Sequence, residues 1–407
     1  MDFEETEEEQ AFRAEAREWL RAHAKPRQVG ADPEHFHLSG DASPEAEAAH
    51  VEGCKAWQRT LFDAGWAGIT WPKEWGGRGA PGWQQRIWNE EQSRFDVAVG
   101  VFSVGIGMAG PTIIAWGSEE QQERFLPAML KGDEIWCQLF SEPGAGSDLA
   151  GLRTRAERDG DEWVVNGQKV WTSGAHYSDW GLLLARTNPE VPKHRGITAF
   201  LVDMRAPGIE VRPLRQITGV AHFNEVFLTD VHIPESCRVG GEGDGWRVAN
   251  TMLSNERALI GGGGRVSFKE IAALARSCGA TDDPIMRQAL AQCYTRMQLI
   301  KWLGWRARSR KDQGLGPEAS VLKLAASRRQ EHDADLVVAL QQTAGMLYVD
   351  DAVDRGYWQN MFLAQWSSRL GGGTEQVQRN VIGERVLGLP SDVRVDKDVA
   401  FNEIPRG

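Results

Sequence analysis

One charged residue stands in an apolar stripe near the middle of the chain. In "NTMLSNERALIGGGG" (250–264), Glu256 shares a helical face with Leu253, Ile260 and the preceding Ala249, and it is the only charged member. A carboxylate placed there is either a group that does chemistry or an ion-paired helix residue. Four glycines (261–264) follow it. Inside a helix each would cost about 0.8–1 kcal/mol against alanine, so they make room for a bulky group, allow close helix packing, or break the helix.

Three other stretches carry groups suited to a flat or anionic ligand. In "SEPGAGSDLAG" (141–151), Gly144 and Gly146 let backbone amides come close to a ligand, and Ser141 and Ser147 add hydroxyls. A plain tight turn would use the same residues. The G-x-G there is no dinucleotide fingerprint, because "LRTRAERDGDEWVV" reads as a hairpin and no helix opens after the glycines. "QKVWTSGA" (168–175) sets Trp171 beside Thr172 and Ser173, which can wall a planar ring and bond its edge, or pack as an edge tryptophan. "GGGTEQVQRNVIGERVLGLP" (371–390) is a glycine loop with Thr374 as a helix N-cap, a local arrangement that also suits a pyrophosphate.

Other chemistries lack their residues. His35 and His37 have no cysteine or carboxylate pattern nearby, so no metal site is expected. No C-x-x-C, G-x-x-x-x-G-K-[ST], G-x-S-x-G or H-E-x-x-H occurs, and the five cysteines read as reduced structural thiols. A net charge of −11 argues against a nucleic-acid binder. No apolar run approaches a membrane span, and the acidic start "MDFEETEEEQ" is unlike a signal or transit peptide, so a cytoplasmic protein is expected.

The elements that must position these groups fall into three regions. Residues 1–133 read as an α-helical domain, with helices over 1–24, 47–64, 82–95 and 118–132, a loop over 25–46, and a cap at Ser118. Residues 134–240 read as an antiparallel β domain, with Asn166-Gly167 predicted as a hairpin turn. "GGEGDG" (240–245) reads as a flexible joint, and 241–407 as a bundle of four or five helices interrupted at "RLGGGTEQ".

In this order, "GWAGITWPKEWGG" (65–77), "SEPGAGSDLAGL", "VNGQKVWTSGA", "FNEVFLTDVHIP" and "GGGTEQVQRNVIGERVLGLP" resemble the acyl-CoA dehydrogenase family over nearly the whole chain. The resemblance implies an α+β fold: an N-terminal α-helical domain, a middle antiparallel β domain and a C-terminal helical bundle, with FAD between the last two. It implies loss of the α-proton of an acyl-CoA and transfer of a β-hydride to flavin N5, giving a trans-2-enoyl-CoA. An electron-transfer flavoprotein would be the acceptor. Carried over by position, Gln138, Phe140, Ser141, Gly146 and Ser147 would line the flavin, with Ser147 also near CoA. Trp171 and Ser173 would lie beside the isoalloxazine, and Thr374 and Gln376 would touch the dinucleotide.

Gln341 and Gly345 match a segment that reaches a neighbouring subunit's FAD. The family's "R-x-x-F-G" contact falls on "LARSCGAT", where Arg276 remains and the phenylalanine is absent. The resemblance therefore implies either a homo-oligomer, dimeric or tetrameric, or an α2β2 assembly with fewer flavins than chains. Many members carry the catalytic glutamate where this chain has Gly372. In members acting on branched and long acyl chains it precedes an arginine on a bundle helix, and Glu256-Arg257 match that pair. Glu256 is thus expected as base, Arg257 as a CoA contact, and the Gly372 N–H as a donor to the thioester carbonyl. The alternatives are a partner subunit without catalysis, and an oxidase or monooxygenase passing electrons to O2.

Overall fold

Capping side chains set where the first helices begin. In the computed structural model, which describes residues 5–27, 43–260, 266–308, 318–348 and 351–405, helix α1 (Glu7–His23) starts at Thr6 in a reciprocal capping box with Glu9. It buries Phe12, Ala16 and Leu20, one side chain per turn, as its periodicity predicts. Then come α2 (Pro44–Asp63), α3 (Gly82–Gln92), α4 (Gly110–Trp116) and α5 (Glu119–Lys131). Ser118 caps α5 with Gln121 in a second box. Helix α4 and the π turn before it (Gly105–Ala109) were not legible in the sequence. The described part of the expected 25–46 loop includes a short strand, β1 (Lys25–Pro26), paired with β2 (Phe95–Asp96).

Glu91 locks α3 to α1. Its carboxylate is fully buried and accepts from Arg13 Nη1 at 2.8 Å, Arg17 Nε at 2.8 Å and Arg17 Nη2 at 2.9 Å. Burial pushes its pKa up, but the two guanidiniums outweigh that and hold it at about 2. The pair therefore contributes fully above the ordinary value of 4.5 and is lost as pH falls toward about 2. Glu91→Ala is expected to cost about 3 kcal/mol at pH 7, read as a lower urea midpoint, and the gap to wild type should close on acidification through that window.

The middle region is one eight-stranded sheet. Its strands are β3 (Trp136–Leu139), β4 (Arg155–Asp159), β5 (Glu162–Ser173), β6 (Trp180–Arg186), β7 (Ile197–Asp203), β8 (Ile209–Leu214), β9 (Phe223–Pro234) and β10 (Arg238–Val239), in the order β10-β7-β6-β4-β5-β9-β8. The pairings are antiparallel except β3 with β6 and a single β4–β6 bridge. The predicted hairpin at Asn166-Gly167 is wrong, because β5 runs straight through it. The turn is at Gly160-Asp161, and Asn166-Gly167 forms a bulge. Asn166 bonds Asp230 on β9 twice, at 2.9 Å each way, and a Cβ on Gly167 would meet Thr154 Oγ1 at 2.4 Å. The pair thus bends a strand where a two-residue turn would end one.

Alternation along β6 and β7 divides the core. Leu182, Leu184, Ile197, Ala199 and Leu201 face the N-terminal helices, while Leu183, Ala185, Phe200 and Val202 face Trp163 and Val226 across the sheet. The joint at 240–244 is tied down: Gly243 N donates to Thr198 Oγ1 at 3.0 Å and Gly241 N to Asp244 Oδ2 at 3.2 Å. Beyond it lie α6 (Gly245–Ile260), α7 (Phe268–Ser277), α8 (Pro284–Arg308), α9 (Glu318–Leu340), α10 (Tyr357–Leu370) and the short α11 (Glu375–Val381), one helix more than expected among the described residues. The glycine loop separates α10 from α11. The chain then returns to the sheet, where the Arg186 guanidinium lies 3.4 Å from the centre of the Phe401 ring and Lys193 pairs with Asp396 at 2.6 Å.

Candidate functional site

A buried ion pair builds the loop after β3. Lys169 on β5 is fully buried, and its Nζ donates to Phe140 O at 3.1 Å and Glu142 Oε1 at 2.7 Å. Glu142 also accepts from Arg153 N at 2.6 Å and Thr154 N at 2.9 Å. Burial pushes the Glu142 carboxyl up, yet the Lys169 charge brings it below its ordinary value. Val170 N donates to Ser141 O at 2.9 Å, which closes the loop against β5. Sequence reasoning missed both Glu142 and Lys169. The signal was there: a lysine in an apolar strand and a glutamate inside a glycine loop.

This scaffold sets the groups read from sequence. Phe140 is buried, Ser141 half-buried, and Gly146 and Ser147 exposed. Trp171 is 61% exposed at a second bulge in β5, with a φ of +61° that a bulky residue rarely adopts. Gln138 Nε2 and Thr172 Oγ1 are buried without a hydrogen-bond partner among the described residues. Ser173, Trp136, Tyr177 and Val101 line a small cavity of about 110 Å³. An exposed indole, two buried polar atoms without partners and the hydroxyls of the loop are the kinds of group that a planar ring with hydrogen-bonding edges, as a flavin has, would use.

The second cluster lies in the bundle. The first half of α6 is held on the sheet by Val248, Ala249 and Met252, all fully buried, and Glu256 is half-buried one turn further on. Lys323 on α9 is 1% exposed; its Nζ donates to Ser368 O at 2.9 Å and Gly373 O at 2.8 Å. Burial lowers its pKa, and the charges of Glu375 and Glu256 oppose that, so the Glu256 carboxylate acts on the same buried cation that holds the glycine loop. Gly372 and Gly373 have φ of +63° and +89°. Thr374 caps α11, its hydroxyl accepting from Val377 N at 3.2 Å, and Gln376 is exposed.

The remaining predicted residues stand apart. Arg276 is exposed in the last turn of α7. Gln341, in the segment expected to reach a neighbouring subunit's FAD, has a buried side chain: its Nε2 donates to Val337 O at 2.9 Å and its Oε1 accepts from Gln359 at 3.1 Å. Gly345 is buried where a Cβ would sit 2.7 Å from Val338 O. The Arg257 side chain, glycines 261–264, His35 and His37 lie outside the described residues. No group of three His, Cys, Asp or Glu suited to a metal occurs among the described residues, and none of their helices is long and apolar enough to cross a membrane.

Three family models match in succession: acyl-CoA dehydrogenase N-terminal domain over 6–133, middle domain over 137–231 and C-terminal domain over 243–387. The chain is 38% identical to acyl-CoA dehydrogenase IpdE1 of Mycobacterium tuberculosis, covering 94% of this chain and 98% of that one. Among solved structures it is similar to the Tcur3481-Tcur3483 steroid ACAD, with a TM-score of 0.83 and 29% identity over 96% of this chain and 100% of that one. It is also similar to a chain of the ChsE4-ChsE5 complex from Mycobacterium tuberculosis, with a TM-score of 0.79 and 31% identity over 96% of this chain and 100% of that one.

Proposed function

The chain belongs to the acyl-CoA dehydrogenase family, and on that premise we propose that it desaturates a bulky acyl-CoA thioester with Glu256 as the base. The observation that carries this reading is a half-buried Glu256 whose charge favours the ammonium form of Lys323, the cation that holds the loop where position 372 offers only a glycine backbone. An α-C–H next to a thioester is a weak acid, so its removal needs a sheltered carboxylate and a polarised carbonyl. Glu256 takes the α-proton, and the electron pair left at Cα forms the Cα=Cβ bond as the β-hydride departs. The Gly372 N–H donates to the thioester carbonyl. FAD, when bound, supplies the hydride acceptor. Gln138, Phe140, Ser141, Gly146, Ser147, Trp171 and Ser173 would hold its ring, and Thr374 and Gln376 its dinucleotide part. Ser147 and Arg257 would meet the CoA portion.

For the substrate, a fused-ring acyl group is supported by the similarity to a steroid ACAD. For the assembly, an α2β2 heterotetramer is supported by the buried Gln341, the missing phenylalanine after Arg276, and a two-protein complex among the similar structures. An electron-transfer flavoprotein would take the electrons onward, in the cytoplasm.

The test is anaerobic titration of the purified protein, alone and with its partner chain, with a fused-ring acyl-CoA and with octanoyl-CoA. The expected result is yellow protein bleached at least about tenfold faster by the fused-ring thioester, within the discrimination that pocket shape supplies. Flavin-free protein in every preparation would refute the reading. Faster bleaching by octanoyl-CoA would refute the substrate class. Peroxide under air would mark an oxidase.

A further inference from the structure

We propose that Lys323 and Gln378 clamp the glycine loop, making Lys323 a positioning residue for the thioester carbonyl; this rests on the reading that the loop polarises that carbonyl. The two side chains come from different helices and hold adjacent peptide groups. Lys323 Nζ reaches Gly373 O at 2.8 Å from α9. Gln378 Nε2, on α11 and 3% exposed, reaches Gly372 O at 3.1 Å and Gly373 O at 3.3 Å.

Two consecutive glycines at positive φ have no side chains to choose between alternative peptide orientations, so the loop needs outside contacts to hold one. In a trans peptide the N–H points opposite to the C=O. With the Gly372 carbonyl drawn toward α11 and the Gly373 carbonyl toward α9 and α11, the N–H groups of Gly373 and Thr374 face the other way; the Gly372 N–H belongs to the preceding peptide, which the clamp steadies through the loop's backbone. The N–H groups of Gly372, Gly373 and Thr374 have no backbone acceptor among the described residues. Successive amides in such a turn form a concave donor set for an oxygen that gains negative charge.

A buried ammonium is costly unless it is paired and hydrogen-bonded, and a spacer between α9 and α10 would need only an apolar side chain. Lys323 instead bonds two carbonyls, Ser368 O at the end of α10 and Gly373 O in the loop. A purely structural role would be to cap α10. Ser327 does that as well, donating to the same Ser368 O at 2.9 Å, so Ser327→Ala isolates the capping part.

The experiment uses the FAD-loaded protein, with its partner chain if one is required, and compares Lys323→Met, Gln378→Ala and Ser327→Ala. A non-oxidisable acyl-CoA carrying a ¹³C=O thioester is bound and its carbonyl stretch read by infrared difference spectroscopy, alongside kcat and KM. The wild type and Ser327→Ala should shift the stretch to lower frequency. Lys323→Met and Gln378→Ala should lose the shift, with kcat down about 10²-fold, the size of losing a carbonyl donor, and KM within about threefold. A bound thioester with wild-type frequency and wild-type kcat in Lys323→Met overturns the clamp. If that variant does not fold, the same outcome in Gln378→Ala overturns it. A retained shift in Glu256→Gln with activity lost separates the clamp from the base. No shift in the wild type itself refutes the underlying reading of the loop.

Discussion

Replacing Glu256 with glutamine is expected to slow acyl-CoA bleaching of the flavin by about 10²–10⁴-fold, the range for removing a positioned general base. Thioester affinity and melting temperature should change little. Glutamine keeps the side chain's shape and hydrogen-bonding capacity and removes the proton acceptor. The helix is anchored by Val248, Ala249 and Met252, none of which the substitution touches. Rapid anaerobic mixing separates the outcomes: unchanged binding with slow bleaching identifies the base, whereas weak binding with normal bleaching assigns Glu256 to substrate recognition. Glu256→Asp should recover part of the rate, because the carboxylate remains but is one methylene shorter.

The second large effect lies in the sheet. Lys169→Met is expected to cost about 3–5 kcal/mol, because it leaves the Glu142 carboxylate buried without its cation. The loss should appear in urea unfolding and as poor flavin retention, since the same ammonium holds the Phe140 carbonyl and so the start of the loop. Lys169→Met with Glu142→Leu should be far closer to wild type in stability, because the orphaned charge goes with the pair. The flavin defect should persist in the double variant, as the loop has then lost its Lys169 and Glu142 tethers and keeps only the Val170 N–Ser141 O bond to β5. A single variant as stable as wild type would show that water or relaxation satisfies Glu142.

How much of this was legible in the sequence depended on whether a residue's role is local. The first helix, the Ser118 and Thr374 caps, and the interruption of the bundle at the glycine loop are written within a few residues and were read correctly. Lys169 and Lys323 were passed over because a lysine reads as exposed until its partners are known. Those partners are Glu142 and Gly373, 27 and 50 positions away. Asn166-Gly167 was misread for a similar reason: its turn chemistry is real, but Asp230 on β9 recruits it into a bulge. The Trp171 motif was recognised, while its left-handed backbone and its exposure follow from the register slip between β5 and β9.

The claim that Glu256 takes the α-proton is tested most directly by isotope exchange that needs no oxidation. A 3-thia acyl-CoA, whose sulfur replaces the β-carbon, is incubated with the protein in D2O and its α-protons are followed by NMR. The expected result is washout of the α-protons by the wild type and none above background by Glu256→Gln. Washout at the wild-type rate in Glu256→Gln would contradict the account and move the base elsewhere in the site.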